Sequence, residues 1–483
     1  MGLPGDGPAP HVVMAVASGI ERDARVRKTA RAVAEAGYRV TLVWGDHLGR
    51  KTVEGHLGAV RTIGVPVPYL LRDARALRTA RRREWRPRWP GYPNRLALQT
   101  ADTSIRAAST RAGARPRVAV VRLRQIVHGA RSRLFEIQER EFLRVWNRLD
   151  RRRLGRLPRI DWRRELANVA DLEAAFTRLL WQLEPDILHV HDIHLLGAGA
   201  QAKRVCAKHG RPAALVYDAH EFVSGLSGRD RIVEAAYAAM EGALIGRADA
   251  VITVSEPIAD ALKARYDLPR RPTVVLNTPT SEPPRPASGD VRSAAGVGPD
   301  ALLLVYAGGV GRQRNVSVVL RALSLLPSAH LAVICVPDTQ HHAARMLAKA
   351  AVEEGVEGRV HMLEPVPPEE IVDFLATADI GVHPMLAGIP NHEMALPNKL
   401  FDYIFAGLPV AVSATSEMRR FVQEEKVGET FDPEDPADVA RAVLAVVEGR
   451  DAFRARTKDE ALRRTYSWQA QAEKLVTLYA DLP

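Results

Sequence analysis

Short apolar runs, each closed by polar residues and followed by apolar positions at helical spacing, recur along much of this chain and predict alternating strands and helices. The run Val12–Ala17 predicts a strand, the pattern from Arg25 to Ala36 closed by Gly37 a helix, and Tyr38–Trp44 a second strand. A β-loop-α-β opening of this kind begins a Rossmann-like domain. The rhythm stops between Pro66 and Leu166. There Pro87, Pro90 and Pro93 surround Trp85 and Trp89, and a long helical pattern after Pro116 sets Val118, Val121, Ile126, Leu134, Ile137, Phe142, Val145, Trp146 and Leu149 among arginines. It resumes with a helix over Leu172–Leu183 and strands over Asp186–Val190, Ala214–Tyr217 and Ala250–Val254. The four prolines of Thr278–Pro286 read as an interdomain linker. Beyond it, strands are expected at Leu302–Tyr306, Leu331–Val336, Arg359–Leu363 and Val410–Val412. Helices are expected at Ile371–Thr377, Pro397–Ala406, Glu417–Val422, Asp438–Glu448 and Ser467–Asp481. The pattern predicts an α/β protein of two Rossmann-like domains with parallel sheets, plus an Arg-rich, mainly helical insert in the first.

With 483 residues the chain is long enough for two or three domains with substantial cores. Its net charge of +11 is not spread evenly. Residues 72–165 hold 27 arginines, no lysine and 9 acids, a surplus of 18 that leaves the rest of the chain at −7. Basic amphipathic helices with Trp and Phe suit an anionic membrane surface, and equally suit packing on a domain with a solvated outer face. Nucleic acid is disfavoured, because no helix-turn-helix or base-stacking module accompanies the charge. No apolar run reaches the roughly 18 residues needed to span a bilayer, and Met1–Pro10 lacks a secretory signal's basic start and apolar core. The expected location is cytoplasmic, either free or peripheral on the inner face of the cell membrane. Cys206 and Cys335, one in a helical and one in a strand pattern, fit buried reduced thiols.

Candidate chemistry gathers in three places. The first is the stretch His392–Ser413, where Pro397 opens a short helix, Gly407 with Pro409 closes it, and a buried strand follows. Asn398 and Lys399 fall in its first turn with Asp402 one turn on, which suits phosphate at the helix start and ribose hydroxyls at the carboxylate. The same punctuation is also ordinary α/β structure. The second is Gly308-Gly309-Val310-Gly311-Arg312-Gln313-Arg314, where glycines admit a diphosphate to the backbone and two arginines can neutralise it. The third is a set of strand ends carrying His191, Asp192 and His194, then Asp218, His220 and Glu221, then Glu256, on the edge where parallel sheets bind ligands. The first loop, Ser18–Asp23, lacks a dinucleotide fingerprint, so no nicotinamide cofactor is expected. Neither a Cys/His cluster of metal-ligand spacing nor an Asp-x-Asp triad occurs, so no metal is expected.

Pro-Asn-Lys-Leu-Phe-Asp-Tyr before Ala-Gly-Leu-Pro-Val, together with Asp-Ala-His-Glu at 218–221, resembles a subgroup of the retaining family-4 glycosyltransferases of the GT-B fold. The resemblance extends over nearly the whole chain except the insert. It implies an acceptor-side domain over 1–278, a nucleotide-sugar-binding domain over 279–465, a cleft between them, and a terminal helix over 466–483 crossing back to the first domain. It implies a diphosphate contact from Arg312 or Arg314, a ribose contact from Asp402, a sugar contact from His220, and Glu221, Asp192 and His194 near the acceptor. The family's other glutamate falls on Met394, with Glu393 adjacent.

The activity so implied is transfer of a hexosyl or N-acetylhexosaminyl group from a nucleotide-diphosphate sugar to a hydroxyl of a glycan, a lipid-linked molecule or a small molecule. It would proceed with retention and without metal or other cofactor, Arg312, Arg314, Lys399 and the helix start stabilising the leaving diphosphate. A nucleotide-sugar 2-epimerase of the same fold, and a non-catalytic scaffold for lipid or polyanion, are the alternatives.

Overall fold

In the computed structural model, the described residues are 9–84 apart from 22 and 48, a few positions between 92 and 120, and then 122–138, 160–227, 230–280 and 289–483. They fall into two compact units, one of Met1–Pro68, Leu172–Arg229 and Tyr237–Pro483, the other of Tyr69–Asp171 with Asp230–Ala236.

The first unit contains both sheets. Eight strands build one of them: β1 (His11–Val16), β2 (Arg39–Asp46), β3 (Val53–Leu57), β4 (Val60–Pro66), β5 (Ile187–His191), β6 (Ala214–Ala219), β7 (Ala250–Thr253) and β8 (Thr273–Val274). Their order is β3-β4-β2-β1-β5-β6-β7-β8. Six more build the other: β9 (Leu302–Gly309), β10 (Ala329–Val336), β11 (Val360–Leu363), β12 (Ile380–His383), β13 (Val410–Ser413) and β14 (Gly428–Phe431), in the order β11-β10-β9-β12-β13-β14. Every pairing is parallel except β3 with β4. Parallel strands covered by helices on both faces need apolar residues on both, and β1 and β6 are buried at every position. The strand order reverses between β1 and β5 and again between β9 and β12, and a doubly wound sheet opens a crevice for ligands at that point.

Several boundaries differ from those the sequence predicts. β6 continues past Tyr217 to Ala219, taking Asp218 into the strand, and β9 continues through Gly308 and Gly309. Pro397 is the N-cap and not the first helical residue, because its ψ of 141° is extended; the helix itself is Asn398–Phe405. The β3–β4 hairpin, the short helix Pro390–Met394, the helix His342–Glu353 and β14 go unforeseen by the sequence pattern.

Helix Asn398–Phe405 is fixed to the second sheet through Tyr403. Its hydroxyl accepts from Ala307 N at 3.1 Å and donates to Val382 O at 3.2 Å, joining β9 to β12. Gly381 makes this possible, since a Cβ there would lie 2.3 Å from Tyr403 Cγ. Helix Trp468–Ala480 is capped by Ser467 and contributes Trp468, Leu475 and Tyr479 to the core beneath the first sheet, with Val12, Met14 and Leu42.

In the second unit, helix Leu70–Glu84 starts with the amides of Leu71 and Arg72 donating to the Asp171 carboxylate at 3.0 and 2.9 Å. Of the long helix expected after Pro116, residues 122–138 are described and helical. Trp85, Trp89, Val118, Val121, Phe142, Val145, Trp146 and Leu149 lie outside the described residues, as does linker segment 281–288. Both cysteines are buried and unbridged. Among the described residues no helix is long and apolar enough to cross a membrane.

Candidate active site

At the switch point of the second sheet, Gly308 holds a φ of +145°, and a Cβ on it would lie 3.1 Å from Cε of Lys399 and 3.4 Å from the Tyr306 hydroxyl. Glycine is needed both for the backbone angle and for that approach. Tyr306 Oη donates to Gly309 O at 2.6 Å, closing the turn. Lys399 donates to Asn398 Oδ1 at 3.1 Å, and its pKa is lowered by burial, with Asp402 opposing and Arg314 adding to the effect. Arg314 sits on the 3₁₀ turn Arg312–Arg314 and donates to Met385 Sδ at 3.3 Å; among the described residues it has no ion-pair partner. Arg312 is exposed at the start of the same turn. Beneath them His383, at the end of β12, stacks on Tyr306 with centroids 6.1 Å apart. Among the described residues neither of its ring nitrogens has a hydrogen-bond partner, and burial together with the Arg314, Lys399 and His392 charges pushes its pKa down to about 3.

Asp402 lies beside Lys399. Burial raises its carboxyl against the pull of Lys399 and of Lys28, which reaches it from helix Ala24–Glu35. Lys28 donates to Asn277 Oδ1 at 3.1 Å and Thr278 O at 2.5 Å, lies 4.8 Å from the Trp468 ring centroid, and is lowered by burial to about 8. Glu393 takes another place. Its carboxylate accepts from Gly388 N at 2.7 Å and from Ser416 N and Oγ at 2.8 and 2.6 Å, tying two loops together. The neighbouring Met394 offers its carbonyl to Ser255 Oγ at 2.6 Å.

The ligand edge of the first sheet is built on Asp218. Arg25 grips both its oxygens, Nε to Oδ2 at 2.9 Å and Nη2 to Oδ1 at 2.7 Å, and also donates to Val275 O at 2.8 Å. On Oδ2 converge His191 Nδ1 at 3.1 Å and His220 Nε2 at 3.2 Å. His189 stacks on His191 at 4.3 Å between centroids and bonds the Tyr479 hydroxyl at 2.5 Å. His189, His191 and Asp218 are close enough to share a cation, but Arg25 already occupies both carboxylate oxygens. Burial drives His191 down to about 3, so it is neutral; Asp218, although buried, is held well below the usual carboxylate range by Arg25 first and then by its histidines. His220 is the member nearest solvent; burial lowers its pKa, but the charge and hydrogen bond of Asp218 together with the Asp192 charge outweigh that and raise it.

Asp192 follows β5 with a φ of +65°, a strained angle for a residue with a side chain, costing about 1–3 kcal/mol. It accepts from Ile193 N at 2.6 Å and pairs with His194 Nδ1 at 3.1 Å. Glu221 follows His220 and is half-buried. Behind them Glu241, raised to about 7 by burial, accepts from the Tyr217 and Tyr266 hydroxyls at 2.9 and 2.8 Å.

The two ligand edges meet. Phe222 N donates to Asn391 Oδ1 at 2.8 Å, and Gln313 Nε2 reaches Ser227 O. Gly308, Lys399, Arg314, Asn398 and Asp402 gather at the ligand edge of the second sheet, and His220, Asp192 and His194 at that of the first. Residues 301–449 match the family described as "Glycosyl transferases group 1", and residues 126–280 match "Glycosyltransferase Family 4", together more than half of the chain. The chain belongs to the family-4-like glycosyltransferases of the GT-B fold.

Relatives of this glycosyltransferase family include a D-inositol 3-phosphate glycosyltransferase from Xylanimonas cellulosilytica, 29% identical over 255 residues, which are 50% of this chain and 59% of that protein. The chain spans about half to three-fifths of the length of the curated relatives it matches first. Among solved structures, sucrose-phosphate synthase from Thermosynechococcus elongatus superposes with a TM-score of 0.64 at 15% identity, covering 98% of both chains. HepE from Anabaena, in complex with UDP and glucose, superposes with a TM-score of 0.58 at 11% identity, covering 98% of this chain and 100% of that one. At such identities the likeness establishes the GT-B fold.

Sequence reasoning passed over Arg25, Lys28, His189 and Glu241 as site residues, and saw Asp218 only as one of the polar residues at a strand end. A signal existed for one of them, since residues two apart on a strand share a face. His189 with His191, both in β5, is such a pair.

Proposed function

We propose that this chain transfers a sugar from a nucleotide-diphosphate donor to a hydroxyl acceptor, with retention of configuration and without a metal ion. The observation that carries this is an Arg314 cation with no ion-pair partner among the described residues, within electrostatic reach of Lys399 where the chain turns at Gly308. A partly buried Lys399 with an exposed Arg314 acting on it suits a dianionic leaving group, and their field would stabilise the charge that develops on it. Lys399 and Arg314 would contact the diphosphate beside the backbone of Gly308 and Gly309, with Arg312 at the mouth. Asn398 and Asp402 would face the ribose, His220 the sugar, and Asp192, His194 and Glu221 the acceptor. Glu393 would support the loop and not touch the donor. The UDP bound to HepE makes UDP-hexoses the first donors to try, and the name of the inositol phosphate relatives makes a small polyol phosphate the first acceptor.

The test has two stages. A thermal-shift screen of nucleotide diphosphates and nucleotide sugars should raise the melting temperature. Transfer of labelled sugar should then fall by about 10²-fold or more in both Lys399→Ala and Arg314→Ala, the scale for losing one preorganised charge contact. Conversion of the donor into its epimer without acceptor would assign the chain to the 2-epimerases, and full activity in both variants would overturn the site.

The Arg-rich unit gives a second surface. Leu70, Leu71 and Leu77 on one helix and Leu123, Ile126, Val127 and Ile137 on another are exposed among arginines, Ile126 at 69%. Such exposed apolar side chains among arginines support docking on an anionic bilayer.

A further inference from the structure

Two motifs far apart in sequence, Asp-x-Arg-Val-x-Lys at 23–28 and Asp-Ala-His-Glu at 218–221, close into one buried ion pair that bears directly on His220. We infer that Asp218, oriented by Arg25, is the positioning residue for His220, fixing Nε2 of that imidazole so that Nδ1 is the atom offered to the sugar or acceptor in the cleft. This rests on the glycosyl-transfer reading of the cleft only for the identity of the ligand; the arrangement itself stands on the contacts.

Arg25 and Asp218 have side chains only 4% and 2% exposed, and the fork-to-fork geometry leaves the carboxylate no freedom to turn. Asp218 sits inside β6, so its backbone is fixed by the sheet, and His220 follows immediately beyond the end of that strand at Ala219. The second neighbour of His220 Nε2 is His191 Nδ1 at 3.4 Å, and His191 is braced by the stacked His189, which Tyr479 holds from the terminal helix. Three elements besides β6 thus press on one imidazole. The charged and titratable groups facing it are Asp218 from β6, Arg25 from helix Ala24–Glu35, Asp192 after β5, and the neutral His191 and His189 from β5.

With Nε2 committed to the carboxylate, the protonation state decides what Nδ1 does. The cation donates at both nitrogens, one proton to Asp218 and one to a ligand hydroxyl oxygen; the neutral ring keeps its proton toward Asp218 and presents a bare acceptor. Asp218 favours the cation. The prediction is that turnover falls as pH rises through the pKa of His220, and that this alkaline limb belongs to the Asp218–His220 pair.

Titration of the His220 ring by NMR in the donor-free full chain reads the pair without needing activity. Asp218→Asn, similar in shape but uncharged, should lower the His220 pKa by about one unit or more and move the alkaline limb of kcat with it, at little change in donor KM. Asp218→Glu should restore part of the shift. His220→Gln, at a position near solvent, should abolish the limb altogether, and it serves if Asp218→Asn leaves Arg25 uncompensated and the protein unfolded. An unchanged His220 titration in folded Asp218→Asn, or an alkaline limb that persists in His220→Gln, overturns the inference. If the wild type moves no sugar, the functional proposal has failed, and the NMR titration still decides the role of Asp218.

Discussion

Glu241 and His191 are both fully buried, yet their charged forms are discouraged at opposite ends of the pH scale. Glu241 has its folded pKa raised from 4.5 to about 7, so its contribution to stability is complete below 4.5 and is lost as pH climbs through 7. Its full extent is about 3 kcal/mol. His191 and His383 are lowered to about 3, so the stability tied to their neutral forms is present above 6.5 and lost as pH falls toward 3. Glu241→Gln should therefore lose less melting temperature than wild type between pH 5 and 8 while keeping the acid-side fall, measured by thermal unfolding across that range. An identical alkaline decline in the variant would assign the loss elsewhere. Residues of this kind are poorly legible in a sequence. Lys399, Asn398 and Asp402 could be grouped from spacing on one helix, because four residues bring two side chains to the same face. Arg25 and Asp218 could not, since no periodicity relates positions 193 apart in sequence. Only the crossover geometry of the sheet brings them together.

The helix that carries Lys399 owes its place to an element it does not belong to. Gly381 in β12 gives Tyr403 room to span β9 and β12, and a methyl group there would fall 2.3 Å from Cγ. Gly381→Ala should lower stability by about 1–3 kcal/mol, as overpacking does, and weaken nucleotide diphosphate binding because Lys399 moves with the helix. Gly298→Ala, where a Cβ meets nothing within 4 Å, is the control and should change neither in a melt or a binding titration. Elements differ in how clearly they announce themselves. Strands such as β1, His-Val-Val-Met-Ala-Val, are apolar on both faces and are found within a residue of their true ends. The edge strand β3, Val-Glu-Gly-His-Leu, buries no residue fully, so its sequence carries no periodic signal, and the hairpin it forms with β4 is visible only from the pairing. Helix Asn398–Phe405 was located correctly but its start was not, because proline suits the cap as well as the first turn.

Charge is divided across the whole chain, with an 18-charge surplus in residues 72–165 and −7 in the remainder. Flotation with vesicles containing anionic lipid should carry the full chain upward, and salt should weaken the association, since exposed arginines are screened beyond about 8 Å at physiological ionic strength. Protein that stays at the bottom with anionic vesicles would remove membrane docking from the account. The fold class was legible because two series of strands and helices repeat on either side of a proline-rich stretch; the path of the last helix is fixed instead by Tyr479, Leu475 and Trp468 entering a core begun by Val12 and Met14. That closure has a consequence for biogenesis. A nascent chain will display the first sheet with one flank uncovered until residues 468–480 have left the ribosome, and at about 5–20 residues per second the intervening second domain takes roughly ten to forty seconds to make. For that interval the growing polypeptide is a natural client for chaperones, and the need falls once helix Trp468–Ala480 arrives to cover that flank.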